Sequence, residues 1–141
     1  MGKEKTIIIA NWKMNPGTLK EAQELFDAVG RGVAGIAGVE VVICPPFVHI
    51  PMLHAASFKL HVGAQDCFWE NPPTGGGAFT GEISPQMLKG AGCSYVILGH
   101  SERAKYLGET EDMVQKKVAS ALRAGLKVVL CVGENEKTPA D

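Results

Sequence analysis

The chain has no excess of charge of either sign: 14 Lys and Arg stand against 15 Asp and Glu, a formal net charge of -1 over 141 residues. Charges balanced and interspersed in this way give no basic field for nucleic acid and no polybasic segment for an acidic membrane, so neither partner class is expected. No apolar run approaches the roughly 18 to 20 residues of a membrane span. The first residues, Met1-Gly2-Lys3-Glu4-Lys5, lead into a strand pattern and not into a secretory apolar segment, which reads as a cytoplasmic chain. Cysteine signals are equally sparse. Cys44, Cys67, Cys93 and Cys131 lie far apart, with no C-x-x-C pair and no histidine at zinc spacing, so free thiols and no metal site are expected. Gly75-Gly76-Gly77 is not followed by G-K-[ST] and lacks the G-x-G-x-x-G spacing, which removes a phosphate-loop reading.

What is present is an ordinary globular composition, 45% apolar and 21% charged, sufficient for one domain with a core. Runs rich in β-branched residues recur at Thr6 to Ala10, Val39 to Cys44, Leu60 to Gln65, Tyr95 to Leu98 and Lys127 to Val132. Several are apolar at consecutive positions, as in strands buried on both faces. Helical patterns lie between them. Thr18 and Glu21 form a capping box ahead of Ala22, Leu25, Phe26 and Val29, which share one face. Ser84 and Pro85 read as N-cap and first helical residue, and a short helix is expected over roughly Ile50 to Ser57. Met113, Val114, Val118, Ala121 and Leu122 make a further stripe, ended by Gly125. Alternating strands and helices call for a parallel α/β sheet with right-handed crossovers. Four strand-helix units and a fifth strand fit an open doubly wound sheet and an incomplete eight-unit barrel equally well. The sequence stops in what reads as the loop after the fifth strand, so the pattern looks unfinished.

In parallel α/β folds the C-terminal ends of the strands are where ligands bind. Two polar clusters fall at such ends: Asn11-Trp12-Lys13-Met14-Asn15 after the first strand, and Gly99-His100-Ser101-Glu102-Arg103 after the fourth. Singly, Lys13 is compatible with a solvated lysine, Asn11 with a turn residue and His100 with a structural histidine. Glu102 is compatible with an exposed carboxylate favouring a helix N-terminus. The segment from Asp66 to Gly81 carries Pro72-Pro73 and the triple glycine, and reads as a long loop.

Five motifs occur in order: Ala10 to Asn15, Cys44-Pro45-Pro46, Gly77 to Ser84, the His100 cluster, and Cys131-Val132-Gly133-Glu134. Together they resemble the triosephosphate isomerase family, whose members interconvert dihydroxyacetone phosphate and glyceraldehyde 3-phosphate in glycolysis and gluconeogenesis. The resemblance implies a parallel (β/α)8 TIM barrel, here incomplete at about five strands and four helical connections, with residues 1–141 the N-terminal portion of one barrel domain. It implies that Asn11 and Lys13 bind substrate, that Lys13 also stabilises the enediolate, and that His100 is the electrophile, with Ser101 and Glu102 in support. A neutral imidazole at a helix N-terminus is the tuning described for this enzyme family. The resemblance further implies a homodimer in which Gln65, Thr80, Glu82 and Arg103 lie at the interface and Glu82 pairs with Arg103, and it implies no metal or organic cofactor. Ala104 stands where the family commonly has a second arginine, and the stretch before Gly77 is a few residues longer than in many members. The family's catalytic base, a glutamate in an A-Y-E-P-x-W stretch, does not occur in this sequence. Glu134 matches a different family position. The resulting expectation is an isomerase by family whose isolated chain is inactive. The alternatives are a non-enzymatic fragment that assembles with a complementing chain and a phosphate-binding module.

Overall fold

The computed structural model describes residues 6–53, 59–71 and 77–133. Five strands, β1 (Thr6–Asn11), β2 (Val39–Cys44), β3 (Leu60–Ala64), β4 (Tyr95–Leu98) and β5 (Lys127–Leu130), form one sheet in sequential order. All neighbours are parallel, with Thr6 opposite Val39, Val41 opposite Leu60, Gly63 opposite Tyr95 and Tyr95 opposite Lys127. Helices α1 (Leu19–Val33), α2 (Pro85–Gly90), α3 (Ser101–Leu107) and α4 (Glu111–Arg123) occupy the connections.

The two faces of the sheet have different company. On one, Val41, Ile43, Leu60, Val62, Ala64, Val96 and Leu98 pack with Phe26 of α1, Leu88 of α2 and Ala121 of α4. Full burial of a side chain such as Phe26 contributes about 1.5–3 kcal/mol. On the other, Val42, Cys44, Tyr95 and Ile97 pack with Ile9, Val129 and Cys131, and among the described residues no helix joins them. That face is the inner wall of a curled half-barrel. At its N-terminal end the Tyr95 hydroxyl donates to Glu40, and Lys127 Nζ lies 3.0 Å from Tyr95 Oη and 3.5 Å from Glu40. His61 Nε2 is 3.4 Å from Glu40. The Tyr95 hydrogen bond, helped by the Lys127 charge and opposed by partial burial, holds the Glu40 carboxyl below its ordinary value. β2 to β5 are thereby tied together at the end away from Asn11 and His100.

Local sequence explains the elements. Thr18 Oγ1 accepts the Glu21 N–H at 3.3 Å and Glu21 returns a carboxylate to the Thr18 N–H at 3.1 Å, completing the capping box of α1. Ser84 Oγ accepts from Met87 N–H ahead of Pro85. Gly99, at φ +74°, turns the chain out of β4 in a conformation that L side chains rarely adopt.

Three expectations require correction. The helix expected near Ile50 is a 3-10 helix over Phe47–Met52, because Pro51 contributes no N–H and the closing bonds run from His49 N–H to Pro46 O and from Leu53 N–H to Ile50 O. The rest of that expected helix falls outside the described residues. β5 ends at Leu130, two residues early, since its partner β4 ends at Leu98 and only Cys131 N–H still reaches that strand. Leu122 is exposed, and the inward positions of α4 include Lys117 and Ser120 instead. Cys44, Cys67 and Cys93 are buried free thiols and Cys131 is a partly buried one. Burial pushes Cys44 and Cys67 up to about 12 and Cys93 to about 11, leaving them protonated and inert.

Candidate active site

Asn11 is the last residue of β1, opposite Cys44 in β2. Its side-chain Oδ1 accepts the Lys13 N–H at 2.9 Å, and Trp12 N–H donates to Cys44 O at 3.0 Å. These bonds turn the chain sharply after the strand. Lys13 adopts φ +53°, the one positive value at a residue other than glycine among the described residues. From this turn the Lys13 ammonium reaches Glu102 Oε1 at 2.6 Å, joining residues 89 apart in sequence. β1 and β4 are not neighbours in the sheet. Only a curled sheet brings the ends of both to one place.

His100 precedes α3 as its N-cap, and its Nδ1 accepts the Glu102 N–H at 3.2 Å. An Nδ1 that accepts a backbone N–H leaves the proton of the neutral ring on Nε2. Nε2–H is then free to act as a donor. The ring is about a quarter exposed, and Glu102 Oε2 lies 3.7 Å from Nδ1. Glu102 thus touches both partners: its N–H fixes the His100 tautomer and its carboxylate holds Lys13. The Lys13 hydrogen bond, with smaller help from the Lys13 and His100 charges, lowers the Glu102 pKa against a modest desolvation cost. Ser101, the first residue of α3, is exposed.

The residues expected at a subunit interface divide. Thr80 and Glu82 are exposed on the segment before α2. Gln65 and Arg103 are engaged within the chain. Gln65 Nε2 donates to Lys13 O and to Cys44 O, both at 2.8 Å. Arg103 Nη2 lies 3.0 Å from Asp66 and Arg103 Nε lies 3.1 Å from Glu109. The expected Glu82–Arg103 pair does not form within this chain, because Asp66 and Glu109 occupy the guanidinium. Glu134 lies outside the described residues.

Behind the open site is a cluster that sequence reasoning missed. Lys117, 5% exposed, donates to both oxygens of Asp66 at 2.9 and 2.8 Å and to Glu109. With Arg103 this makes two acids and two bases, fastening the loop after β3 to α3 and α4. Burial raises the Asp66 pKa, and the Lys117 and Arg103 contacts oppose it without cancelling it. A signal existed in the sequence: Lys117 falls among Met113, Val114, Val118 and Ala121 on the apolar stripe of α4.

A parallel α/β half-barrel that gathers a lysine, a tautomer-fixed histidine and a bridging carboxylate at the C-terminal ends of its strands has the architecture of part of a TIM barrel, with these side chains at the end where such barrels carry their sites. A family model described as triosephosphate isomerase matches residues 6–141. The chain belongs to the triosephosphate isomerase family. It is 48% identical over 131 residues to the triosephosphate isomerase of Trichlorobacter lovleyi, covering 92% of this chain and 50% of that one. It is also 48% identical over 132 residues to that of Moorella thermoacetica, with 92% and 51% covered. Among solved structures, triosephosphate isomerase from Bartonella henselae superposes with a TM-score of 0.82 at 36% identity, covering 92% of this chain and 52% of that one. The chain spans about half the length of the relatives it matches. Among the described residues no helix is long and apolar enough to cross a membrane.

Proposed function

We propose that this chain supplies the electrophilic and substrate-binding half of a triosephosphate isomerase, and that alone it has negligible isomerase activity. The observation that carries the reading is the bridge of Glu102 between Lys13 at 2.6 Å and the ring of His100. Isomerising a triose phosphate removes a proton from the carbon beside a carbonyl, and negative charge develops on the enediolate oxygens. A fixed ammonium and a preoriented N–H stabilise that charge as it forms, and removing one such donor typically costs 10²–10³ in rate, about 2.7–4 kcal/mol. In this reading Lys13 also binds the phosphate dianion, Asn11 shapes the turn that presents Lys13, and His100 Nε2–H faces the enediolate oxygen. Ser101 supports the His100 turn.

A base is also required. Glu102 is unsuited to the task, since the Lys13 contact lowers its proton affinity. The glutamate that serves the family stands in a stretch this sequence lacks. In the reading, residues 1–141 are the N-terminal portion of one barrel domain. Incubated with dihydroxyacetone phosphate, the chain is expected to give no glyceraldehyde 3-phosphate above the buffer rate. Turnover near that of an intact isomerase would overturn the reading. Binding is tested separately: dihydroxyacetone phosphate is expected to perturb the Lys13 and His100 NMR signals, and no perturbation at millimolar ligand counts against the site.

A second reading, assembly with a complementing chain, is favoured by the sheet edges. Ile7 and Ile8 on β1 and Leu130 on β5 are about half exposed, and each edge strand pairs on one side only. Homodimer contacts through Gln65 Oε1, Thr80, Glu82 and Arg103 belong to the same reading, with exposed Phe79 beside Thr80 in sequence. Light scattering over a concentration series tests both, and a strictly monomeric folded chain counts against them.

A further inference from the structure

Lys13 holds a backbone conformation that its side chain disfavours, since an L residue at φ +53° brings Cβ toward the following carbonyl. Such a conformation persists only where the surroundings hold it, and both polar groups of this residue's backbone are held. Its N–H donates to Asn11 Oδ1 at 2.9 Å, and its carbonyl accepts from Gln65 Nε2 at 2.8 Å. The second Gln65 N–H goes to Cys44 O at 2.8 Å, the carbonyl that also receives Trp12 N–H. The amide orientation is fixed by chemistry, because the reverse would set Oε1 against two carbonyl oxygens. From the end of β3, Gln65 therefore fastens the turn after β1 to the end of β2.

We infer that Gln65 is a positioning residue for Lys13: its amide clamps the residue-13 carbonyl so that the ammonium reaches Glu102. Its meaning for catalysis rests on the proposed role of Lys13, but the clamp itself is a separate claim. Both amide donors are spent inside the chain, and only Oε1 is left for another subunit. Without them, two carbonyls lose a partner and the turn is free to relax to negative φ. The lysine side chain then leaves from a different direction and the 2.6 Å contact is lost.

The test uses the whole chain with its exposed lysines converted to 13C-dimethyl lysine, which remain cationic, followed by NMR from pH 7 to 3. The Lys13 signal, assigned through Lys13→Arg, is expected to shift as Glu102 titrates, and Glu102→Gln removes that shift. Gln65→Leu is expected to remove it as well, while Lys116, paired with Asp112 at 2.7 Å on α4, keeps its own acid-range shift. If Gln65→Leu does not fold, Gln65→Glu at neutral pH is read instead by the resting position of the Lys13 signal, which is expected to match Glu102→Gln. Persistence of the Lys13 behaviour in a folded Gln65 variant overturns the inference. So does a variant that changes only association, the result of a pure interface role. Loss of the Lys13 shift without any dihydroxyacetone phosphate binding to the unchanged chain would leave the clamp standing and remove the proposed function.

Discussion

Gln65 and Asp66 are adjacent in the chain, as are Glu102 and Arg103, yet each pair is divided between two clusters under different electrostatic conditions. Gln65 and Glu102 serve the open group around Lys13, where lysine and glutamate side chains are about half exposed. Asp66 and Arg103 serve the closed group around Lys117, where Asp66 and Glu109 are at most 10% exposed. In water-facing surroundings a lysine–glutamate contact stabilises the fold little, and its charge stays available to a ligand. In the interior the same chemistry becomes a structural commitment, because no member can be removed without stranding the others. Two clusters assembled from like residues therefore differ in use because they differ in solvent.

The largest effect that could break this contrast is expected from Lys117→Met, which strands Asp66 and Glu109 without their shared cation. It should cost about 3–5 kcal/mol, read from urea denaturation. A loss below about 1 kcal/mol would show that the buried group is no more demanding than the open one.

Next comes Gly63→Ala, on the strand that leads into Gln65 and Asp66. An added Cβ would lie 2.7 Å from Cys44 Sγ and 3.1 Å from Tyr95 Cβ, so β3 or its neighbours must shift. A cost of about 1–3 kcal/mol is expected, with partial recovery in Gly63→Ala/Cys44→Ala. No recovery would place the strain on the Tyr95 side.

The smallest effect in stability, and the finest discriminator, is acid titration. Glu102 has a folded pKa below its ordinary 4.5, so its contribution is present above pH 4.5 and is lost as pH falls through the folded value. Asp66 has a folded pKa above its ordinary 3.8, so its sign is opposite: its ionisation disfavours the fold as pH rises from 3.8 through the folded value. Carboxylate NMR should show Glu102 titrating below 4.5 and Asp66 above 3.8. Lys13→Met should return Glu102 toward 4.5 while leaving the denaturation midpoint essentially unchanged.

Most of the fold was legible because its determinants are local. β-branched runs, the Thr18–Glu21 box and the Ser84-Pro85 start announce their elements within a few residues. Curvature was not legible from pattern, since an open sheet and a barrel share the same alternation. It is expressed in the meeting of Lys13 with Glu102, 89 residues apart. Of the candidate site, Asn11, Lys13 and His100 were named from motif and position. Gln65 was expected at a subunit interface, and its bonds within the chain were not legible, because a glutamine's two donors carry no pattern until the carbonyls they meet are known. The Lys117 cluster was missed for a related reason: its partners come from β3's loop, α3 and the turn before α4. The cation itself did leave a mark, a lysine among apolar residues on one helical face.

The division of Gln65 from Asp66 also determines which genetic accidents this segment tolerates. Successive strand residues point to opposite sides, so the loss of a single codon between Leu60 and Ala64 would bring Asp66 into the place of Gln65 and Cys67 into that of Asp66, whereas a gain would bring Ala64 into the place of Gln65 and Gln65 into that of Asp66. After a loss a carboxylate would meet the carbonyls of Lys13 and Cys44; after a gain an amide would face Lys117 and Arg103. Point substitutions can damage one cluster and spare its neighbour; a one-residue insertion or deletion here strikes both at once.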